Sequence, residues 1–213
     1  MIKTKTLGVF CALLFASTAS LADINDDIMK IQHQWARANY ETPESEQEKV
    51  FEMLVAEARK LAELNPGRAE PKVWLAIVLS SDAGVNGGFG ALGKVKEARR
   101  QLEAAEEINP DVLDGSVYTS LGSLYYQVPG WPIGFGDEEK AEVYLKKALS
   151  MNPDGIDPNY FYGDFQFEEG NYSEAIKYLE KAALAPPRPG RPLADKGRQA
   201  EIQKKLQQAR KKM

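Results

Sequence analysis

The hydrophobic residues of the chain recur in three segments with one common spacing. Each segment has Ala, Leu and Ala at relative positions 0, 4 and 7 and Pro at position 12: Ala98, Leu102, Ala105 and Pro110; Ala141, Leu145, Ala148 and Pro153; and Ala175, Leu179, Ala182 and Pro187. The first three residues lie on one face of a helix, where small side chains let a neighbouring helix approach closely. Because proline cannot continue a helix, the pattern predicts three similarly packed helices, each followed by a turn.

Upstream of the last two segments, a glycine beside a large side chain indicates a partner helix. Gly163 follows Tyr162 and lies twelve residues before Ala175, and Gly122 follows Leu121 in the middle unit. With the Ala, Leu, Ala and Pro positions, these residues resemble the tetratricopeptide repeat, a pattern of about thirty-four residues. The resemblance implies an all-α, right-handed α-solenoid of helix-turn-helix pairs, and it implies proteins as partners.

The repeats predict a solenoid over residues 23–187 with atypical ends. A degenerate first pair is expected, because a terminal unit turns one face to solvent. The predicted boundaries are 25–66 for this first pair, about 71–110, 115–153 and 156–187 for the repeats, and 188–213 for a proline-rich linker and a basic capping helix. The basic residues of the cap are expected to form a solvated helix face; contact with anionic lipid or an acidic partner is the alternative.

Two insertions interrupt the repeats between the helices of a pair. They cover residues 82–90 and 129–136, and both contain Gly-Phe-Gly. Loops at equivalent places of a solenoid emerge along one edge, so the two insertions are expected to be neighbours. Their aromatic residues Phe89, Trp131 and Phe135 are costly to leave in water. They either pack within their own helix pairs or line a site for a partner or ligand.

The inner groove of the predicted solenoid is the second candidate binding surface. By the repeat register, its positions are Thr119, Ser123, Tyr126, Tyr160, Asp164 and Phe167. Some tetratricopeptide proteins hold the C-terminal carboxylate of a peptide with Lys and Asn at such positions. Here the groove has hydroxyls, aromatic rings and a carboxylate, so an acidic peptide end would meet no counter-charge. We therefore expect a neutral, apolar or mildly basic partner.

The N-terminal residues 1–22 have the layout of a secretory signal peptide. Lys3 and Lys5 precede an apolar stretch at 7–15, and small residues lead to a cleavage site after Ala22, with Ala19 as the alternative. This layout predicts export and cleavage rather than a membrane span, because the apolar stretch is too short to cross a bilayer. A periplasmic or secreted location follows as an expectation.

Composition narrows the possible chemistry of the exported chain. Cys11 is the only cysteine and lies in the segment to be removed, so no disulfide or thiolate metal site is expected. Removal of Lys3 and Lys5 with that segment changes the formal net charge from −4 to −6. An acidic chain lacks the basic stripe typical of nucleic-acid binding. No later apolar run is long enough to span a membrane.

Catalytic, cofactor and metal sites are not expected. The residues from Gly88 to Lys94 contain most of two nucleotide-binding patterns, but Val95 stands where Ser or Thr is needed, and both patterns require a preceding strand. His33 is the sole histidine, too few for a two-histidine metal site. Asp137 lies at a predicted helix start, where an acid favours the helix dipole.

The sequence thus predicts a non-catalytic periplasmic or secreted interaction module that binds a protein or peptide in the cell envelope. A more distant resemblance is to the tetratricopeptide helper component of tripartite transporters, which implies a ligand-binding or helper subunit as the alternative. This second resemblance is based on the predicted export, the repeat architecture and the glycine-rich insertions. A nucleotide-binding protein that uses the segment from Gly88 to Lys94 is the least favoured hypothesis.

Overall fold

The computed structural model describes the backbone of residues 16–213 and the side chains of residues 24–213 except Phe89. Its helices are α1 (Ala16–Tyr40), α2 (Glu44–Leu64), α3 (Ala69–Asn86), α4 (Gly88–Ile108), α5 (Ser116–Gln127), α6 (Glu138–Met151), α7 (Ile156–Glu168), α8 (Tyr172–Ala183) and α9 (Pro192–Lys212). Residues 1–15 of the predicted signal peptide, 1–22, lie outside the described residues. Cleavage of the signal peptide stays a prediction. Within the described part, no helix is both long and apolar enough to cross a membrane.

Consecutive helices form antiparallel pairs, and the predicted all-α solenoid of helix-turn-helix pairs is confirmed. The Ala, Leu and Ala positions lie on α4, α6 and α8, and every one of these side chains is fully buried. A Cβ placed on Gly122 of α5 would lie 2.6 Å from Cγ of Leu145 in α6. Gly163 of α7 stands similarly close to Leu179 of α8. The glycine of the first helix therefore gives the central leucine of the second helix room to pack.

The first helix of each pair faces a common inner surface. Residues of α1, α3, α5 and α7 line one shared cavity on this side. The second helices, α2, α4, α6 and α8, pack against their outer side. A continuous apolar core runs from α1 to α7, and a smaller cluster joins α7 and α8 to α9.

Helix α9 does more than cap the last repeat. It packs against α8, and it also contacts α7 and α1. Gly197 of α9 lies directly on the ring of Tyr40 in α1, and Nε2 of His33 donates to the carbonyl oxygen of Gly190 (2.6 Å). The C-terminal segment thus crosses from the last helix pair to the first and closes one side of the concave surface.

The first insertion, residues 82–90, is mostly helical, whereas a loop was expected there. Its residues lengthen α3 and α4, which meet at a single turn where Gly87 has φ 54°. Asp82 is buried, accepts a hydrogen bond from Asn86 (2.5 Å) and pairs with Lys94 of α4 (2.7 Å). These contacts hold the two helix extensions together, which explains why helix replaces loop. The second insertion is a loop between α5 and α6.

Candidate functional site

The concave surface and α9 together line a partly open pocket of about 250 Å³, which we call the central pocket. Its walls come from all four inner helices and from α9: Trp35, Asn39, Tyr40, Trp74, Ile77, Ser80, Ser81, Ser116, Thr119, Ser120, Ser123, Gln127, Asp157, Phe161, Arg191, Arg198 and Glu201. The aromatic rings among them come from α1, α3 and α7, and the serine and threonine hydroxyls come from α3 and α5. The pocket depends on the return of the C-terminal segment, because that segment supplies its basic residues.

Arg191, at the start of α9, lies over Trp74 of α3. The guanidinium carbon is 5.1 Å from the centroid of the indole ring, a cation–π contact. Nε of Arg191 and Nε1 of Trp74 are both buried, and neither has an acceptor among the described residues. Nε1 of Trp35, by contrast, donates to Oγ of Ser81 (2.8 Å). Trp74 and Arg191 therefore each have a buried N–H donor without an acceptor in the described part of the chain.

The guanidinium of Arg191 keeps its charge at neutral pH. Burial, and then the nearby charge of Arg188, lower the pKa of Arg191 to about 10. No carboxylate of the described chain lies within ion-pair distance of Arg191, although Asp157 and Asp195 partly offset these effects from farther away. Arg191 thus brings a positive charge to the pocket without a direct counter-ion.

The other arginines of this region are paired. Asp157 of α7 accepts from Nε of Arg198 (2.9 Å) and from Arg188 (2.5 Å). Arg188 also pairs with Asp195, and Arg198 with Glu201 (2.6 and 2.5 Å). Burial alone raises the pKa of Asp157, but the charges of Arg198 and Arg188 outweigh it and lower this pKa to about 2. These pairs attach the linker and α9 to α7.

Two of the six predicted groove residues line the central pocket, and the other four contact one another or α9. Thr119 and Ser123 line the pocket. The hydroxyl of Tyr126 donates to Asp164 (2.7 Å), and burial followed by that carboxylate raises the pKa of Tyr126 well above its ordinary value. Nζ of Lys205 in α9 lies 2.6 Å from Asp164. The carboxylate of Asp164 is thus occupied by contacts within the chain, and partner binding at these groove positions stays a prediction.

Helix α9 also covers the remaining two groove residues. The guanidinium of Arg198 lies 4.3 Å from the ring centroid of Tyr160, and Nζ of Lys205 lies 4.5 Å from that of Phe167. The predicted lack of counter-charge in the groove is wrong, because Arg191, Arg198 and Lys205 come from the C-terminal segment. The predicted solvated basic face is wrong for Arg198 and Lys205, whose side chains are mostly buried.

The second insertion forms a compact loop, residues 128–137, which we call the Trp131 loop. The amide of Gly136 donates to the carbonyl oxygen of Pro129 (3.0 Å), and the amide of Asp137 donates to that of Tyr125 (2.8 Å). A Cβ on Gly136 would overlap the carbonyl oxygen of Val128. Backbone contacts therefore fix the course of this loop. Asp137 caps α6 by accepting from the amide of Lys140, as its predicted place at a helix start implies.

The aromatic residues of the insertions do not share one environment. Phe135 packs edge-on against Tyr125 of α5 (5.6 Å between centroids), and the guanidinium of Arg99 lies over its ring. Trp131, by contrast, is 90% exposed, and Ile133 is 67% exposed. The side chain of Phe89 lies outside the described residues, so the expected neighbourhood of the two insertions stays a prediction. The ring of Phe135 therefore packs against neighbouring side chains, whereas the side chain of Trp131 lies in solvent.

The nucleotide-binding hypothesis does not fit the structure. The residues before Gly88 form helix α3, whereas both nucleotide-binding patterns require a strand there. Gly88 to Lys94 form the first turns of α4, and the amino group of Lys94 is bound to Asp82. Among the side chains that the structure describes, no cluster of three or more His, Cys, Asp or Glu forms a possible metal site.

Sequence reasoning missed the residues that define the central pocket. Trp35 and Trp74 lie on the inner helices of the two pairs with the weakest repeat pattern, and Arg191 lies in the linker. The one signal in the sequence was the group of arginines at 188, 191 and 198 beside a proline-rich turn. Nothing in the repeat pattern indicates that this segment crosses the concave surface.

The chain is similar to known tetratricopeptide repeat proteins in sequence and in structure. Residues 133–194 match the tetratricopeptide repeat family. A solved structure of a thermophilic TPR protein from Thermus thermophilus is similar, with 16% identity, a TM-score of 0.56 and coverage of 88% of this chain and 94% of that one. The structure of pilF from Pseudomonas aeruginosa has 19% identity, covers 89% of this chain and 93% of that one, and has a TM-score of 0.35.

These comparisons bear on the fold. No curated protein sequence matches the chain. At 16% identity, the Thermus structure supports the arrangement of the helices alone. The family match covers the end of the Trp131 loop, helices α6 to α8 and the linker, which is less than a third of the chain. The described helix pairs, the family match and the Thermus structure together support a tetratricopeptide repeat fold.

Proposed function

We propose that the chain is a non-catalytic interaction module of the cell envelope that binds a protein partner through the Trp131 loop. The observation that carries this proposal is the exposure of Trp131, at 90%, on a loop whose backbone is held by hydrogen bonds. The tetratricopeptide repeat fold supports it, because stacked helix pairs form a rigid surface suited to recognition. The predicted secretory signal supports the envelope as the location.

Trp131 and Ile133 have the properties of interface anchor residues. Burying a large apolar side chain contributes about 1.5–3 kcal/mol, and the described part of this chain leaves both largely in water. Tryptophan is enriched among residues that dominate binding energy at protein interfaces. The fixed loop lowers the entropy lost on binding, since its backbone is ordered before the partner arrives. A partner with an apolar depression fits these two side chains.

The concave surface is a poor site for an extended peptide. Tyr160, Asp164 and Phe167, which the repeat register places in the groove, are covered by α9. A peptide there would have to displace the ion pairs of Asp157 and Asp164 with α9. The resemblance to the helper component of tripartite transporters has no support from the comparisons. The Trp131 loop therefore replaces the groove in our proposal.

Site-specific photo-crosslinking tests the proposed surface. A photoreactive phenylalanine replaces Trp131 in the full chain, and a second version carries it at Leu184, an equally exposed apolar residue in the turn after α8 (86%). We expect a discrete crosslinked product in cells from position 131 and none from position 184. Ile133→Asp in the first version is expected to abolish that product. Equal products from both positions, or a product unaffected by Ile133→Asp, would contradict the proposal.

The envelope location has a separate test. Mass analysis of the chain recovered from the envelope fraction is expected to show Asp23 as its first residue, since Ala22 is the predicted end of the signal. A chain found in the cytoplasmic fraction with Met1 to Ala22 intact would refute the location. That result would leave the proposed contact at Trp131 to be judged by crosslinking alone.

A further inference from the structure

We propose that the partner of the Trp131 loop is a protein with lysine and arginine side chains around an apolar depression. This inference rests on the proposed function, which assigns the loop as the contact surface, and it adds the charge of the partner. It combines two features of the loop: the exposed apolar side chains of Trp131 and Ile133, and the carboxylates that stand beside them.

The backbone of the loop brings its exposed indole close to the start of α6. Gly130, directly before Trp131, forms a β-bridge with Gly136. Helix α6 begins two residues after Gly136, with Glu138 and Glu139, and both side chains are exposed. The indole and the first carboxylates of α6 therefore extend from neighbouring points of the backbone.

The turn between α7 and α8 adds a further carboxylate, that of Glu169. Burial, and then the charges of Glu138 and Glu142 in α6, raise the pKa of Glu169 above its ordinary value, because each of these effects opposes ionisation. Glu169 caps the C-terminal end of α7, so the dipole of that helix does not stabilise its charge. A positively charged partner relieves this repulsion.

The lysines beside these carboxylates already have partners. The pairs are Lys140 with Asp137 (3.4 Å), and Lys205 with Asp164 and Glu168 (2.6 and 3.3 Å). By contrast, Glu138, Glu139 and Glu169, which we call the loop carboxylates, are exposed and form no ion pair with a described side chain. Their negative charge is thus left uncompensated in the described part of the chain.

The loop carboxylates favour a protein over a lipid surface as the occupant. Exposed tryptophan is also common where proteins meet the membrane interface. Anionic lipid headgroups, however, would face the loop carboxylates, and like charges repel. A protein with Lys or Arg around an apolar depression compensates these charges while it buries Trp131 and Ile133. Such complementarity raises the rate and the specificity of association.

Charge variants of the full chain with a photoreactive phenylalanine at position 131 test this inference. Replacing all three loop carboxylates by Gln is expected to lower the yield of the crosslinked product about fivefold at low salt. The matched control replaces Glu48, Glu52 and Glu63 by Gln, because these exposed carboxylates of α2 also form no ion pair with a described side chain. It changes the net charge equally and is expected to leave the yield unchanged.

Glu169→Gln alone separates a binding effect from loss of the fold. This variant removes a repulsion within the chain, so its free energy of unfolding is expected to equal or exceed that of the parent chain. The yield of the crosslinked product is nevertheless expected to fall. An unchanged yield from both Glu169→Gln and the triple variant would overturn the inference and leave the proposed contact at Trp131 intact.

Salt and vesicles provide independent readouts. From about 0.1 to 1 M NaCl the Debye length falls from about 10 to 3 Å, so the yield in an envelope extract is expected to fall for the parent chain and little for the triple variant. The chain is not expected to float with vesicles of phosphatidylcholine, with or without phosphatidylglycerol. Flotation that Trp131→Ser abolishes would overturn the inference in favour of a lipid surface.

The attachment point in the crosslinked product identifies the chemistry of the partner directly. Peptide mass analysis is expected to place it beside Lys or Arg residues of the partner. An attachment point among Asp and Glu residues would overturn the inference but not the proposed function. Absence of any product from position 131 of the parent chain would overturn both.

Discussion

Gly197 of α9 and Tyr40 of α1 are in direct contact, although they come from opposite ends of the described chain. A Cβ on Gly197 would overlap the outer edge of the Tyr40 ring. That ring is itself packed edge-on against Trp35, with 5.9 Å between the two centroids. The contact therefore joins the last helix to the first helix and to one wall of the central pocket.

The first prediction concerns this contact. Gly197→Ala forces the Tyr40 ring to move within a packed environment, and overpacking of this kind costs about 1–3 kcal/mol. We expect the free energy of unfolding, measured in urea, to fall by that amount. Gly93→Ala is the matched control, because Gly93 lies within α4 and an added Cβ there would meet no atom within 4 Å. At that position, alanine is expected to stabilise the helix by about 0.5–1 kcal/mol. A loss of stability at Gly93 equal to that at Gly197 would contradict the proposed contact.

The second prediction concerns how the stability of the fold depends on pH through Asp157. The pKa of Asp157 falls from 3.8 to about 2 in the folded chain. A lowered pKa means that the ionised group stabilises the fold above about pH 4, and that this stability is lost as the pH falls towards 2. The difference corresponds to about 2 kcal/mol. Asp157→Asn is expected to be less stable than the parent chain at pH 6 and to approach it at about pH 2.5.

Unfolding in urea across that pH range provides the measurement. Asp154→Asn is the control, because Asp154 is 80% exposed and its pair with Lys181 spans 3.2 Å at the surface. Exposed pairs of this kind contribute about 0–1 kcal/mol. The difference in free energy of unfolding between Asp157→Asn and the parent chain is expected to change with pH. A constant difference over the whole range would show that the ion pairs of Asp157 do not attach the linker and α9 to α7.

The third prediction concerns the tryptophans. Trp131 is 90% exposed, whereas Trp35 and Trp74 are almost fully buried. Acrylamide is therefore expected to quench one part of the tryptophan emission strongly and the rest weakly. Trp131→Phe is expected to remove the accessible part and leave emission at shorter wavelength. Easily quenched emission in Trp131→Phe would mean that the central pocket is open to solvent.

The repeat pattern predicts most of the helix pairs because their packing is local. Leu145 and Leu179 occupy positions that only a nearby glycine can accommodate, and Gly122 and Gly163 stand at the required spacing. The first insertion escapes the same reasoning. Its glycines suggest a loop, whereas the buried pair of Asp82 and Lys94 stabilises two longer helices. That pairing depends on the packing of α3 against α4, which composition does not reveal.

The site was less predictable than the fold. Thr119 and Ser123 line the inner surface as expected, because the repeat register defines which side of α5 faces inward. The covering of Asp164 by Lys205 was not predictable, since it depends on the direction that the chain takes after the last repeat. A proline-rich linker permits many directions. Exposure of Trp131 likewise depends on which aromatic residue of the insertion packs inward, and Phe135 takes that place.

The return of α9 across the concave surface is the claim on which the pocket and the choice of the Trp131 loop both depend. Carbodiimide treatment joins a lysine to a carboxylate only when the two are in contact, and peptide mass analysis then identifies the pair. Nζ of Lys205 lies 2.6 Å from Asp164 and 3.3 Å from Glu168, so a link from α9 to α7 is predicted. The pair of Lys30 and Glu57, which joins α1 to α2, is the internal control (2.5 Å). Recovery of the control link without any link from Lys205 to α7 would contradict the closed arrangement.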